Sequence, residues 1–288
     1  MNTLLASSGK AAFWKLAPFL PDELRLKILF LKEHGSWPNL AEPRTFSEKV
    51  QWRKLHDRRA LLTMFADKYG VREYVAGKVG EKYLTRLYWA SSDPATMPFD
   101  DLPQRFVVKA NHGTRWNILV KDKREVSRDA LVAQLAEWLR SRYPALHCEW
   151  GYRNIAPMAL AEEYLSTAAG DIPPDYKFFV FGGRVRMIQV DLDRFTAHSR
   201  CLYDPQWNLL PVVLGYPKGV GIQRPENLDE MIWCAEQCSG GVDFVRVDLY
   251  NVDGRIVFGE LTNYPGGGLE RITPASFDAE LGSWWKLG

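Results

Sequence analysis

Three charged residues on two short, strand-like runs carry the chemistry. The first run is Phe244-Val245-Arg246-Val247-Asp248-Leu249-Tyr250; the second is Phe258-Gly259-Glu260-Leu261-Thr262, followed by Asn263-Tyr264-Pro265-Gly266. Side chains alternate between the two faces of a strand, so Arg246 and Asp248 share a face, and Glu260 and Thr262 share a face of the partner. Asp253-Gly254 between the runs is a hairpin turn signal. Folding there draws Asp248 and Glu260 within ligand-sharing reach if the register allows. Converging carboxylates repel unless a cation lies between them or one is protonated. Hard oxygen donors suit Mg²⁺, which keeps some water and completes its shell from phosphate. Arg246 beside such an ion would stabilise charge on a transferring phosphoryl group.

These residues need a scaffold, and the 288-residue chain supplies enough length for one large domain or two intimate ones. Helices are expected first, beginning at Pro21-Asp22-Glu23, then over 47–55 with Ser47 as a cap, then over 61–75. The run 105–110 is β-rich and 111–117 is a loop. Ser127 caps the clearest helix, 127–143, with Leu131, Leu135, Trp138 and Leu139 at helical spacing. Strand-like segments follow at 158–165, at 177–181 and at 185–190, the last two forming a hairpin across Gly182-Gly183. A helix over 227–238 with Asn227 as cap precedes the hairpin of the acidic pair. This order is α+β, not the regular alternation of a doubly wound parallel sheet.

Composition excludes several classes. The formal charge of +2 argues against a nucleic-acid partner or strong attraction to an anionic membrane. No apolar run is long enough to span a bilayer, and the start lacks the pattern of a secretory signal, so the cytoplasm is the expected compartment. Residues 11–33 are rich in Phe, Trp and Leu; a core-facing helix is expected there, with peripheral membrane contact as the other reading. The four cysteines fit no common zinc spacing and read as buried thiols.

The ordered motifs resemble a family. Arg-x-Asp, then Glu-x-Thr before Pro-Gly, is similar to the metal strand pair of ATP-grasp ligases. The spread of Phe46-Ser47-Glu48-Lys49, Asp67-Lys68-Tyr69-Gly70-Val71-Arg72, Asp175-Tyr176-Lys177-Phe178-Phe179, Arg246-Val247-Asp248-Leu249-Tyr250 and Phe258-Gly259-Glu260-Leu261-Thr262 resembles the TupA-like ATP-grasp family over about residues 40–282. That resemblance implies an ATP-grasp fold with a helical N-terminal extension (1–60), an N-subdomain with a lid loop (61–165) and a C-subdomain with the metal site (166–288), the two subdomains sandwiching the nucleotide. It implies ATP and Mg²⁺, two ions in all, held by Asp248, Glu260 and Thr262, with Asn263 as the substitute for Thr262 or a substrate contact. Arg246 becomes the catalytic cation. Lys68, Lys109 and Lys177 face the phosphates, and the loop 111–117 covers them. Glu162, Glu163 and Leu165 read adenine and ribose at the hinge. Asp191 and Arg194 line the acceptor side.

The activity so implied is a carboxylate–amine ligase that forms an amide through an acyl phosphate in cell-surface polysaccharide biosynthesis, with small-molecule or glycan substrates. A phosphotransferase on the same site is one alternative. A glycosyltransferase using Asp191 and Asp193 as an Asp-x-Asp metal site is another, with the eleven Trp residues suited to sugar stacking. A non-catalytic ATP-binding scaffold is a third.

Overall fold

The computed structural model describes residues 17–143, 147–192 and 197–288. Among the described residues a 3₁₀ turn (Ala17–Phe19) is followed by four α-helices: α1 (Asp22–His34), α2 (Phe46–His56), α3 (Ala60–Ala66) and α4 (Val71–Val79). Helix α1 starts after Pro21 with Asp22 and Glu23 in its first turn, and closes on Gly35 at φ 80°. The cap of α2 is Thr45 and not Ser47. Thr45 accepts from the Glu48 amide while the Glu48 carboxylate accepts from the Thr45 amide, a reciprocal box that fixes the helix start. Ser47 lies inside the helix and ties it to Asp278.

The stretch expected as one helix over 61–75 is two, α3 and α4, broken at 67–70. Asn111 causes the break: its amide donates to Asp67 Oδ1 at 2.8 Å, and its carbonyl accepts from the Lys68 amide at 3.1 Å. The interruption aims Lys68 at the loop after the second strand.

The strands form two main antiparallel sheets and a two-stranded ribbon. The smaller main sheet has the order β1-β4-β2-β3, from β1 (Leu87–Ser91), β2 (Phe106–Ala110), β3 (Asn117–Val120) and β4 (Ala159–Glu163). Helix α5 (Arg128–Arg140), capped by Ser127, covers one face through Leu131 and Leu135 against Phe106, Val108 and Ala161. Alternation sends Lys109 and Glu162 to the other face.

The larger sheet has the order β10-β9-β5-β6-β7, from β5 (Asp175–Phe181), β6 (Arg184–Leu192), β7 (Ser199–Tyr203), β9 (Phe244–Val252) and β10 (Arg255–Thr262). One face, with Phe178, Ile188, Val190, Val245, Val247 and Leu249, packs on α4 and on α6 (Leu228–Cys238). The opposite face is polar at Lys177, Gln189, Arg246 and Asp248. Further along it becomes apolar at Phe179, Phe181, Met187 and Phe244, where α2 and α7 (Ala275–Trp284) close it. The ribbon pairs β8 (Val213–Leu214) with β11 (Ile272–Thr273). All four cysteines are buried thiols. Among the described residues no helix is long and apolar enough to cross a membrane.

Trp285 locks the second core. It is fully buried, its ring lies 4.6 Å from Phe244 and 4.3 Å beneath the Arg53 guanidinium, and its N–H donates to Asp243 at 2.7 Å. Trp285→Ala is expected to destabilise the protein by about 3–5 kcal/mol through the cavity it leaves. The shift in urea midpoint at constant slope measures this.

Candidate functional site

The hairpin β9–β10 positions the acidic pair through an irregularity. Its turn, Asp253-Gly254, has φ 52° and 91°, the left-handed values of a two-residue hairpin. Counting back from that turn, Phe258 pairs with Leu249, so an unbroken ladder would set Asp248 against Gly259 and turn Glu260 into the core. Instead the register slips by one between Phe258 and Glu260, and Glu260 pairs with Asp248 and Thr262 with Arg246. Phe258 and Leu261 both reach the core although they are three residues apart, which only a bulge permits. Glycine suits the bulge, because a Cβ at Gly259 would stand 3.1 Å from the Asp248 carbonyl oxygen and 3.1 Å from the Tyr250 ring.

The polar face is a connected ion network. The Arg246 guanidinium donates to Asp248 through Nε at 2.6 Å and Nη2 at 2.7 Å, and Nη2 also reaches Glu260 Oε1 and Thr262 Oγ1, each at 3.0 Å. Thr262 donates onward to Glu260 Oε1 at 2.8 Å. Lys177, opposite Asp248 in β5, donates to it at 2.8 Å and also to Asp175. Arg246 thus supplies the cation that two converging carboxylates require.

The two acids differ. Burial raises the Asp248 carboxyl above its ordinary value; Arg246 and Lys177 oppose the rise, and Glu260 and Asp175 reinforce it. Burial also works against the Glu260 charge, but Arg246, Lys68 and Lys177, with the Thr262 hydroxyl, hold that carboxyl down to about 2. Glu260 keeps 37% of its side-chain exposure against 5% for Asp248, so it is the acid that meets water.

Lys109 of the small sheet and Lys68 of the break between α3 and α4 stand near this network. Lys109 pairs with Glu162 at 2.5 Å, and Arg72 grips the other Glu162 oxygen at 3.0 Å. Lys68 donates to the Gly113 carbonyl. Burial lowers the Lys68 ammonium, while the charge of Glu260 favours it and that of Lys109 opposes it, so Lys68 links the two sheets electrostatically. The loop after β2 is anchored by buried Asn111 and by His112, whose ring nitrogens meet Asn111 Oδ1 at 3.1 Å and the Ser141 carbonyl at 3.2 Å.

Other candidate positions are engaged elsewhere. Glu163 forms two 2.7 Å bonds to Arg255 at the start of β10 and accepts from the Arg86 amide, which ties the small sheet to the large one. Leu165 lies just past β4, and among the described residues none is hydrogen-bonded to its backbone. Asn263 is buried, and its amide donates to the Leu62 carbonyl at 2.7 Å, whereas Thr262 joins the network. Asp191 is held by Arg200 at 2.6 Å, by Gln189 at 3.1 Å and by His198 at 3.3 Å. Arg194, and Asp193 of the Asp-x-Asp pair, lie outside the described residues. Arg72 and Asp175 were given no role by the sequence, although both stand inside the motifs that carry the resemblance.

The donor set fits Mg²⁺ held jointly with a phosphate. Among the described residues the side chains that donate to Glu260, Arg246 and Thr262, both land on Oε1, so neither takes up the lone pairs of Oε2. Among the described residues no group of three or more His, Cys, Asp or Glu could hold a metal alone, so two acids would supply part of the shell and phosphate and water the rest.

A sequence profile described as TupA-like ATPgrasp matches residues 48–286. No curated protein matches the chain. Among solved structures, the chain is similar to D-alanine–D-alanine ligase from Bacillus anthracis (18% identity, TM-score 0.46, covering 76% of this chain and 64% of that one). It is also similar to the ATP-grasp ligase PsnB complexed with a phosphomimetic variant of its minimal precursor, Mg and ADP (12%, 0.45, covering 83% and 66%). A third is N5-carboxyaminoimidazole ribonucleotide synthetase in its ADP complex (12%, 0.47, covering 75% and 50%). The chain spans about half to two thirds of the length of these structures.

Proposed function

The chain belongs to the TupA-like ATP-grasp family, and on that premise we propose that it is an ATP-dependent, ADP-forming ligase joining a carboxylate to an amine through an acyl phosphate. The proposed setting is the cytoplasmic assembly of a cell-surface polysaccharide. The observation that carries the reading is the Arg246-bridged pair of Asp248 and Glu260, with Lys68 of the α3–α4 break close enough for the Glu260 charge to act on it, and Lys109 of the small sheet beside Lys68.

In this reading the nucleotide lies between the two sheets, in the cleft between 61–165 and 166–288. Lys68 and Lys109 face its phosphates as point charges. Glu162 holds Lys109 in place, and Arg72 holds Glu162. The free backbone of Leu165 meets the adenine edge. Asp248 and Glu260 would hold two Mg²⁺ ions, which supply charge neutralisation between the phosphates when bound. Arg246, released in part from the two acids, stabilises the charge that develops as the γ-phosphoryl group passes to the substrate carboxylate. Thr262 fixes Glu260 Oε1 and leaves Oε2 for the ion.

The test is ADP release with ATP and Mg²⁺ against uronic acids and amino acids as carboxylates, each with a set of amines. A carboxylate that requires an amine for sustained turnover supports the reading. ATP binding without turnover for any pair contradicts it, and turnover with hydroxyl acceptors alone would favour a phosphotransferase. The glycosyltransferase alternative gains no support from Asp191, which is buried among Arg200, Gln189 and His198.

Lys109→Met removes one phosphate-facing charge. Hydrogen bonds to charged groups are worth about 1.5–3 kcal/mol, so binding of a non-hydrolysable ATP analogue should weaken by roughly 10- to 100-fold. Calorimetric titration measures this; an unchanged affinity would remove Lys109 from the nucleotide site.

A further inference from the structure

A second polar cluster stands beside the acidic pair without a role in the reading so far. After α5 the chain reaches Glu149 and a single 3₁₀ turn at Trp150–Tyr152 that packs on α3. The Tyr143 hydroxyl donates to Glu149 Oε2 at 2.9 Å, and the Tyr143 and Tyr152 rings lie 4.3 Å apart. Tyr143 also meets Thr114 of the β2–β3 loop at 3.5 Å, and the Lys68 ammonium stands 6.0 Å from the centre of the Tyr152 ring.

The glycine turn that continues β10 bounds the other side. Gly267 has φ +62°, and a Cβ there would lie 3.6 Å from Glu149 Oε1. Lys54 backs this turn: its ammonium is tied to the Gly267 carbonyl at 2.6 Å and to Gln51 at 3.2 Å. The cluster is therefore bracketed by Lys68 and the β2–β3 loop and by the continuation of the acid-bearing strand. Tyr143, Glu149 and Tyr152 are all half-buried, and the charge of Glu260 reaches each of them.

Resting on the ligase reading, we propose that Tyr143, Glu149 and Tyr152 form the amine subsite, where Glu149 pairs with a primary ammonium and takes its proton. Two aromatic rings beside a carboxylate make a site for a compact cation. The ammonium gives one proton to Glu149, and the freed lone pair forms the C–N bond at the acyl carbon. The C–O bond to phosphate breaks, and the departing phosphate keeps that electron pair and receives the second proton from nitrogen. Glu149 then returns its proton to water. Burial raises the Glu149 carboxyl; Lys54 and the Tyr143 hydrogen bond oppose the rise and Glu260 adds to it, which moves the group toward the range of a working base.

Hydroxylamine separates the two halves of the reaction, because it is neutral at physiological pH and attacks an acyl phosphate without first losing a proton. The enzyme is given ATP, Mg²⁺ and glucuronate, galacturonate or glutamate, with hydroxylamine or with alanine, lysine or glucosamine. For Glu149→Gln the ratio of amide to hydroxamate is expected to fall about a hundredfold, and the acid limb of the pH profile for amide formation to disappear. Tyr143→Phe keeps the ring stack, loses the hydroxyl and should lower the ratio about tenfold; it serves as the test if Glu149→Gln does not fold. A ratio within threefold of wild type in the folded variant overturns the assignment. Absence of hydroxamate from the wild-type enzyme with every carboxylate would instead bring down the ligase reading, and this assignment with it.

Discussion

Glu260→Gln is expected to lower ADP-forming turnover about a thousandfold, roughly 4 kcal/mol of lost transition-state stabilisation, and to cost some stability at neutral pH, where the depressed carboxylate is charged. The amide keeps the shape of the side chain and can still accept from Thr262 and Arg246. What disappears is a negative charge held down to about 2 by Arg246, Lys68 and Lys177 against its own burial. Glu260 is the more exposed acid of the pair, so solvent screening moderates the loss of stability. Steady-state ADP release and urea unfolding read the two effects separately. Activity within tenfold of wild type would remove Glu260 from the reacting centre.

Gly259→Val should be as damaging to activity and should also weaken the fold by about 2–4 kcal/mol. The new Cβ would stand 3.1 Å from the Asp248 carbonyl oxygen, and a β-branched side chain fills the bulge that sets the strand's parity. If the ladder closes to relieve the clash, Glu260 turns toward the core and Leu261 toward the cleft. Deletion of Gly259 is the informative partner. It removes the bulge, yet the acid still falls opposite Asp248, so its turnover is expected to lie well above that of Gly259→Val. Equal loss in the two variants would mean that the bulge shapes the site by more than parity.

The contrast between turn and bulge marks how far the sequence was legible. The turns at Asp253-Gly254 and Gly182-Gly183, and the cap at Ser127, are local: a few residues fix each conformation, and each stands in the structure where its signal lies. The bulge depends on ladder pairing across two strands; Gly259 inside the second run is a local sign of it, but the register it sets is not local. The break between α3 and α4 is likewise remote in origin, since it is made by Asn111 more than forty residues downstream. Asn227 stands at the start of α6, but its side chain bonds Asn251 and the Gly254 carbonyl in place of the helix amides.

Strands β1 and β3 carry weak sequence signals, each being short and neither wholly buried. Helix α7 was hidden by Gly282, a poor helix former that is needed where the helix crosses the Arg44 carbonyl, which a Cβ would strike at 2.0 Å. For the site, alternation alone puts Arg246 and Asp248 on one face; Glu260 joins them only through the register slip at Gly259. Arg72, which orients Lys109 through Glu162, is set by tertiary contact, whereas Asp175 shares a strand face with Lys177 two residues on; both had only their place in a motif to mark them.

The most direct measurement is a crystal structure of the protein with a non-hydrolysable ATP analogue and Mg²⁺. A divalent ion should appear bound by Glu260 and Asp248 and by phosphate oxygens, at distances of about 2.0–2.1 Å, with Lys68 and Lys109 on the triphosphate. A nucleotide bound away from this cleft, or Arg246 still bridging both acids with no ion beside them, would contradict the account.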